Sequence, residues 1–327
     1  MAINLFQREQ PQKGLFAVEK AGLLYGIITT ILILCLFSKL KDPLLMLGER
    51  AGILGMMIAL YFGYRAYPCR LTTFTRVGTQ MGLLAYWYPD TYEFNRLFPN
   101  LDHLFSAAEQ SIFHCQPSLF MNQILPRWTS EFFNMGYFSY YPMIALVVMF
   151  YFFFRYKQFK KITFIIICSF FIFYFIYIFL PVAGPQYYFQ AIGLDQAAAG
   201  HFPNIGHYFY SHSELLPSPG SSDGFFYHLV ENSQAAGERP TAAFPSSHVG
   251  ISTILMIIAF KGKKSLFFCM LPFYIFLCGA TVYIQAHYLI DAIAGFVSAF
   301  IIYGISLWMY ERWFIPSDYC KGEKPTF

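Results

Sequence analysis

Charge is scarce in this chain. Asp, Glu, Lys and Arg make up 12% of its 327 residues, too little for the surface of a soluble domain of this size. Cysteine is equally uninformative as a metal or redox signal. The seven cysteines are scattered, with no Cys-x-x-Cys and no Cys/His spacing of a zinc site. Cys35, Cys168, Cys269 and Cys278 lie inside apolar runs and read as small buried hydrophobes. A Cys69–Cys115 disulfide is left open. There is no internal repeat and no low-complexity tract, so one membrane domain with an inserted loop is expected. No small-residue cleavage site follows the first apolar run, 22–38, which therefore reads as a retained helix and not a secretory signal.

What is present instead is apolar surface. Hydrophobic residues reach 57% and aromatics 21%, the composition of an all-α integral membrane protein. Crossing roughly 30 Å of hydrocarbon takes about 20 apolar residues at 1.5 Å each. Clear candidates are 22–38, 51–67, 138–154, 162–181, 247–260, 265–284 and 288–310. A weaker run, 77–89, follows Arg65, Arg70 and Arg76; if it crosses, the helices number eight, and if it does not, seven. The net charge of +4 matters through its distribution. Arg155, Lys157, Lys160 and Lys161 cluster between two runs, Lys261, Lys263 and Lys264 between two others, and Arg312, Lys321 and Lys324 follow the last. The positive-inside rule places these in the cytoplasm. They read as topological anchors, not as a nucleic-acid surface.

Between the spans, 90–137 mixes acids with aromatics and holds no run long enough to cross. It is expected to be amphipathic or re-entrant, along the extracytoplasmic face. Tyr137, Tyr140 and Tyr141 sit where an interfacial aromatic belt is expected. Residues 182–244 form a long loop with Gly184-Pro185 and four histidines, His201, His207, His212 and His228, whose spacings fit no common metal site. The loop is expected to cover the site and read a headgroup. Gln186 is a candidate phosphate or headgroup contact, or else a structural part of the Gly184-Pro185 turn. The domain boundary falls at 137: N-terminal helices and the interfacial region in 1–137, a catalytic transmembrane core in 138–327.

The chemistry concentrates in 239–295. His248 follows Pro245-Ser246-Ser247, and His287 stands four residues before Asp291. Ionisable groups at the edges of membrane spans are functional candidates. The apolar runs 249–260 and 265–284 lie between the histidines, separated by Lys261-Gly262-Lys263-Lys264. The chain therefore crosses twice, and both histidines face the side opposite the lysines, the extracytoplasmic one. A helix starting at Pro245 presents its first N–H groups and the hydroxyls of Ser246 and Ser247 to an anion. His287 and Asp291, at i and i+4, can meet on one helical face, leaving the other imidazole nitrogen free as nucleophile or base. Anion cradle, activated histidine and second histidine suit phosphoryl transfer without a metal.

In this order and spacing, Pro-Ser-Ser-His and His-x-x-x-Asp resemble the type 2 phosphatidic acid phosphatase superfamily. Pro181 to Tyr187, Phe244 to His248 and His287 to Asp291 with Ala294-Gly295 resemble the branch that includes the inositol phosphorylceramide synthases. The resemblance covers the second half of the chain, and Leu101 to Pro142 more loosely. It implies a six-helix phosphatase-like core in a bundle of seven to eight helices. It also implies His287 as the nucleophile forming a phosphohistidine, Asp291 as its partner, and His248 as the acid that protonates the leaving oxygen. Ser246 and Ser247 become phosphate contacts, with no metal or cofactor.

Two cations of the family pattern are missing. Ala280 and Thr281 stand where Ser-Arg is usual, and Asn232 where a Lys precedes the Arg-Pro. Arg239, followed by Pro240, is the remaining candidate for the phosphate. A site with fewer cations suits a singly charged phosphodiester better than a phosphomonoester, which favours headgroup transfer over simple hydrolysis of phosphatidic acid or a prenyl diphosphate. A transporter is the competing class, but it predicts polar residues in the middle of several helices, and here they gather at helix ends. Membrane lipids are the expected partners, in a bacterial inner or plasma membrane.

Overall fold

A computed structural model describes residues 4–314, with the side chains of Ala236 and Phe314 left aside. Lys321 and Lys324 of the last basic cluster lie outside the described residues. Among the described residues the chain is helical, with no strand. Fifteen α-helices follow in order: α1 Ala17–Cys35, α2 Pro43–Ala66, α3 Arg70–Gly82, α4 Leu84–Asn95, α5 Asp102–Phe113, α6 Pro117–Ile124, α7 Ser130–Phe138 and α8 Tyr140–Phe154. Then come α9 Tyr156–Phe179, α10 Pro185–Ile192, α11 Leu194–Ala198, α12 Phe225–Gly237, α13 Ser247–Gly262, α14 Lys264–Tyr283 and α15 Leu289–Phe314.

Among the described residues six helical stretches are long and apolar enough to cross a membrane: Ala17–Cys35, Pro43–Ala66, Arg127–Phe154, Tyr156–Phe179, Lys264–Tyr283 and Leu289–Trp313, with Ser247–Gly262 as a shorter apolar helix. The protein is a multi-pass membrane protein. These correspond to the seven clear runs of the sequence. The weaker run 77–89 does not form an eighth: no stretch over it is apolar enough to cross, because α3 carries Arg70, Thr72, Thr73, Thr75, Arg76, Thr79 and Gln80. Two further expectations change. Residues 127–137 belong with the third span and not with an interfacial stretch, because only Ser139 separates α7 from α8. The segment 182–244 is also no open loop. Pro185 at the first turn starts α10, Gly193 at φ 90° ends it, and α11 and α12 follow. The described cysteines are free.

The chain divides into two compact units. One runs up to Trp87 and includes Val148–Phe171 and the residues from Ile305. Within it α1, α2 and α3 pack together around a buried ion pair: Arg76 Nε donates to Glu19 Oε1 at 2.7 Å, with Phe16 and Tyr64 against the guanidinium. Arg76 is thus neutralised by Glu19.

The other unit comprises Tyr88–Val147 and Ile172–Gly304. In it α14 packs on α7 and α13, and α12 packs on α7. A Cβ at Gly136 would lie 2.6 Å from the Phe276 backbone, so α7 and α14 touch main chain to main chain, the small-residue contact of membrane helices. α13 is buried on nearly every face, which explains how a 16-residue apolar helix serves as the centre of this unit.

Candidate active site

The first turn of α13 is tied down from three directions. Ser246 is its N-cap, its hydroxyl accepting the Val249 N–H at 3.3 Å, a bond that satisfies one of the free donors of a helix start. The Ser246 N–H donates to the Asp291 carbonyl at 3.0 Å. The Tyr177 hydroxyl donates to the Pro245 carbonyl at 2.9 Å and accepts the Ser247 N–H at 2.9 Å. A Cβ on Gly295 would fall 2.3 Å from the Ser246 carbonyl oxygen, so α15 lies directly on this strap. His248 is held by two aromatic neighbours: Tyr137 stacks on it at 4.6 Å between centroids, and Tyr140 lies at 4.5 Å.

His287 sits in the turn between α14 and α15. Its N–H donates to the Thr281 carbonyl at 3.0 Å, and Gln285, two residues earlier, is left-handed at φ 65°, a conformation unusual for a residue other than glycine. The ring Nδ1 lies 2.8 Å from the Ala243 carbonyl. A carbonyl only accepts, so Nδ1 carries the proton and Nε2 keeps its lone pair. That lone pair faces the second histidine, with His287 Nε2 to His248 Nδ1 at 3.4 Å. Burial pushes the His287 pKa down to about 4, against the bond from Ala243, which pulls it up. The ring is therefore neutral at neutral pH, the state a nucleophile requires.

The structure brings His248 and His287 together across 39 residues of chain, as the double crossing requires. Asp291 stands beside the His287 ring as an ion-pair neighbour and not as its hydrogen-bond partner. His287 precedes the start of α15, so the two do not share a helical face; Nδ1 and Oδ2 are 3.9 Å apart, beyond a hydrogen bond. Asp291 Oδ2 instead accepts the Tyr288 N–H at 2.8 Å, capping α15 and holding the residue beside the nucleophile. The partner of the His287 ring is a main-chain carbonyl.

The other candidates are placed as follows. Ser246 and Ser247 are buried and engaged in the bonds above. Gln186 is buried, its Oε1 accepting from Gln234 at 3.1 Å and its N–H donating to the Gln285 carbonyl at 2.8 Å. That is the structural role weighed for the Gly184-Pro185 turn, where a Cβ on Gly184 (φ 96°) would meet the Ala286 oxygen at 2.5 Å. Arg239 donates to the Glu238 carbonyl at 2.7 Å, and its charge acts on Tyr92 and Tyr187; no bond joins it to either histidine. Thr281, in the place of the family's Arg, is fully buried and bonded to the Cys278 carbonyl at 2.9 Å.

Two acids on α5 were not singled out by the sequence. Asp102, with no exposed surface, accepts the N–H groups of Ala183 at 2.7 Å and Gly184 at 2.8 Å and the Tyr288 hydroxyl at 3.0 Å. Burial raises its pKa and these bonds lower it. Glu109 accepts the Ile290 N–H at 3.1 Å, at the helix start where the dipole favours an acid; burial raises its pKa to about 7. The only local signal was an acid opening a helix after Asn100-Leu101.

The family model of the PAP2 superfamily matches residues 103–305, more than half of the chain and all of the histidine pair. No curated protein matches the chain, and no solved structure does.

Proposed function

Because the chain belongs to the PAP2 superfamily, the type 2 phosphatidic acid phosphatases, we propose that it is a membrane lipid phosphatase or phosphotransferase working through a phosphohistidine on His287. The observation that carries this reading is the 3.4 Å approach of His287 Nε2 to His248 Nδ1, with the other nitrogen of His287 committed to Ala243. In the first half-reaction Nε2 attacks phosphorus, the bond from phosphorus to the lipid oxygen breaks, and His248 gives that oxygen its proton. In the second, an alcohol or water loses its proton to His248, its oxygen attacks the phosphohistidine, and the P–N bond breaks. The start of α13 supplies positive dipole for the phosphoryl oxygens.

The attacking group separates transfer from hydrolysis. The absence of the family's Ser-Arg and Lys at Ala280, Thr281 and Asn232 supports a singly charged phosphodiester donor and headgroup transfer of the inositol phosphorylceramide synthase kind. Simple hydrolysis of phosphatidic acid or a prenyl diphosphate is the second reading. The chemistry belongs to the extracytoplasmic face of a bacterial inner or plasma membrane, opposite the basic clusters.

The test is mass spectrometry of a lipid panel incubated with purified protein, wild type beside His287→Gln. The panel holds phosphatidic acid, a prenyl diphosphate, and phosphatidylinositol with ceramide or diacylglycerol as acceptor. A new phospholipid formed by the wild type alone supports transfer. Free phosphate alone makes the protein a phosphatase. Turnover that survives His287→Gln overturns the mechanism.

A further inference from the structure

α4 ends at Asn95, and the chain around that end encloses a shallow pocket of about 230 Å³, open to solvent, within the second compact unit. Its walls include Phe98, Pro181 and Pro240, and Arg96 and His207 line it. A drug-sized ligand needs about 300–1,000 Å³, so this space takes the end of a molecule and not the whole of one.

Arg96 gives the pocket its chemistry. It is only 9% exposed, and its guanidinium lies against two aromatic faces, Tyr210 at 5.0 Å and Tyr92 at 5.5 Å, which fix the plane of the group. One nitrogen, Nη2, pairs with the Glu93 carboxylate at 2.8 Å. Nε has no hydrogen-bond partner among the described residues, although buried donors are satisfied in the great majority of cases. Other polar groups of the lining are engaged. The Asn95 side-chain amide donates to the Tyr177 carbonyl, the Asn100 side-chain amide to Asp102, and the Asn100 N–H to the Gly206 carbonyl at 2.7 Å. What is left over is a cationic donor, and its complement is an acceptor with negative charge. Arg239, next to Pro240 of the wall, brings a second positive charge to bear on Tyr92.

We infer that this pocket is an anion site apart from the histidine pair, taking a small oxyanion of phosphate size, free or at the end of a lipid, on Arg96 with His207 at the rim. Its wall leads to the catalytic turn. Pro181 precedes Val182, whose carbonyl accepts the Ala243 N–H at 3.0 Å, and the Ala243 carbonyl in turn holds His287 Nδ1 at 2.8 Å. An anion on Arg96 thus docks a ligand behind the segments that orient the nucleophile. The site itself does not depend on turnover at the histidine pair.

The experiment sets a reporter at the rim. Tyr210 is 45% exposed, so Tyr210→Trp puts an indole beside the guanidinium at a position with room for it. The full-length protein in detergent is titrated with inorganic phosphate, ionic strength being held constant with sodium chloride, and tryptophan fluorescence is read. Tyr210→Trp is expected to give a saturable change that the wild type, with its four native tryptophans, lacks. Adding Arg96→Gln should abolish the change. Adding Arg96→Lys, which keeps the charge but loses the planar fork, should weaken binding about tenfold. Melting temperature shows that the variants fold. The inference is overturned by the lack of a saturable change in Tyr210→Trp, by an equal response to sodium chloride, by a change that survives Arg96→Gln, or by one undiminished in Arg96→Lys. Repeating the titration in phosphatidylcholine nanodiscs with and without phosphatidic acid separates the sources. A signal already saturated by phosphatidic acid identifies a lipid headgroup, and one that still requires added phosphate identifies a free anion.

Discussion

The Tyr288 hydroxyl donates to Asp102 at 3.0 Å across 186 residues of chain, and the same carboxylate holds the Ala183 and Gly184 N–H groups. The neighbour of the nucleophile and the turn packed behind it thus hang on one buried acid. Asp102→Ala would leave two buried N–H groups unpaired, a loss of about 3 kcal/mol. Tyr288→Phe should cost about 1 kcal/mol. Both are read from thermal melting in detergent, and a melting temperature for Asp102→Ala equal to that of the wild type would show that the brace contributes nothing.

The two histidines should separate by leaving group. His287→Gln removes the nucleophile and is expected to abolish turnover of every donor. His248→Gln removes the acid, a loss of about 100-fold to 10,000-fold for a lipid alkoxide, but much less for a p-nitrophenyl phosphodiester, whose leaving oxygen needs no proton. Steady-state rates on the two donors check this; an equal loss on both would remove His248 from the proton-transfer role.

Gly184→Ala and Gly295→Ala test the close approaches behind the site. At Gly184 the new methyl would lie 2.5 Å from the Ala286 oxygen at a φ of 96°, and at Gly295 it would lie 2.3 Å from the Ser246 oxygen. Main chain cannot rotate away as a side chain can, so each should destabilise by about 1–3 kcal/mol and lower kcat by displacing the turn before His287 or the strap before His248. Gly48→Ala, whose Cβ meets nothing within 4 Å, serves as the control.

Stability should depend on pH in two opposing ways. Burial lowers the His287 pKa from 6.5 to about 4. The unfolded chain then binds that proton between those values while the folded one does not, and stability falls as pH drops through this window. Glu109 is shifted upward by burial, from 4.5 to about 7. Its contribution is present below pH 4.5 and lost as pH rises through about 7. Glu109→Gln should therefore make melting temperature rise more steeply with pH across this range. A slope identical to that of the wild type would show that Glu109 titrates normally.

What the sequence determined by itself was local or periodic: seven apolar helices, a helix start near Pro245 that the structure sets at Ser247 behind a Ser246 cap, and, through two crossings and a lysine turn, His248 and His287 on one side of the membrane. Each follows from hydrophobic length, capping chemistry and chain parity, which need no knowledge of distant neighbours. Packing decided the rest. It gave the Nδ1 proton of His287 to the Ala243 carbonyl, set Asp291 to cap the start of α15 while 3.9 Å from that ring, and brought Asp102 and Glu109 from α5 to the start of α15. Those outcomes depend on which surfaces meet, and pairs such as His287 with Ala243 or Glu109 with Ile290 carry no spacing from which the meeting could be read.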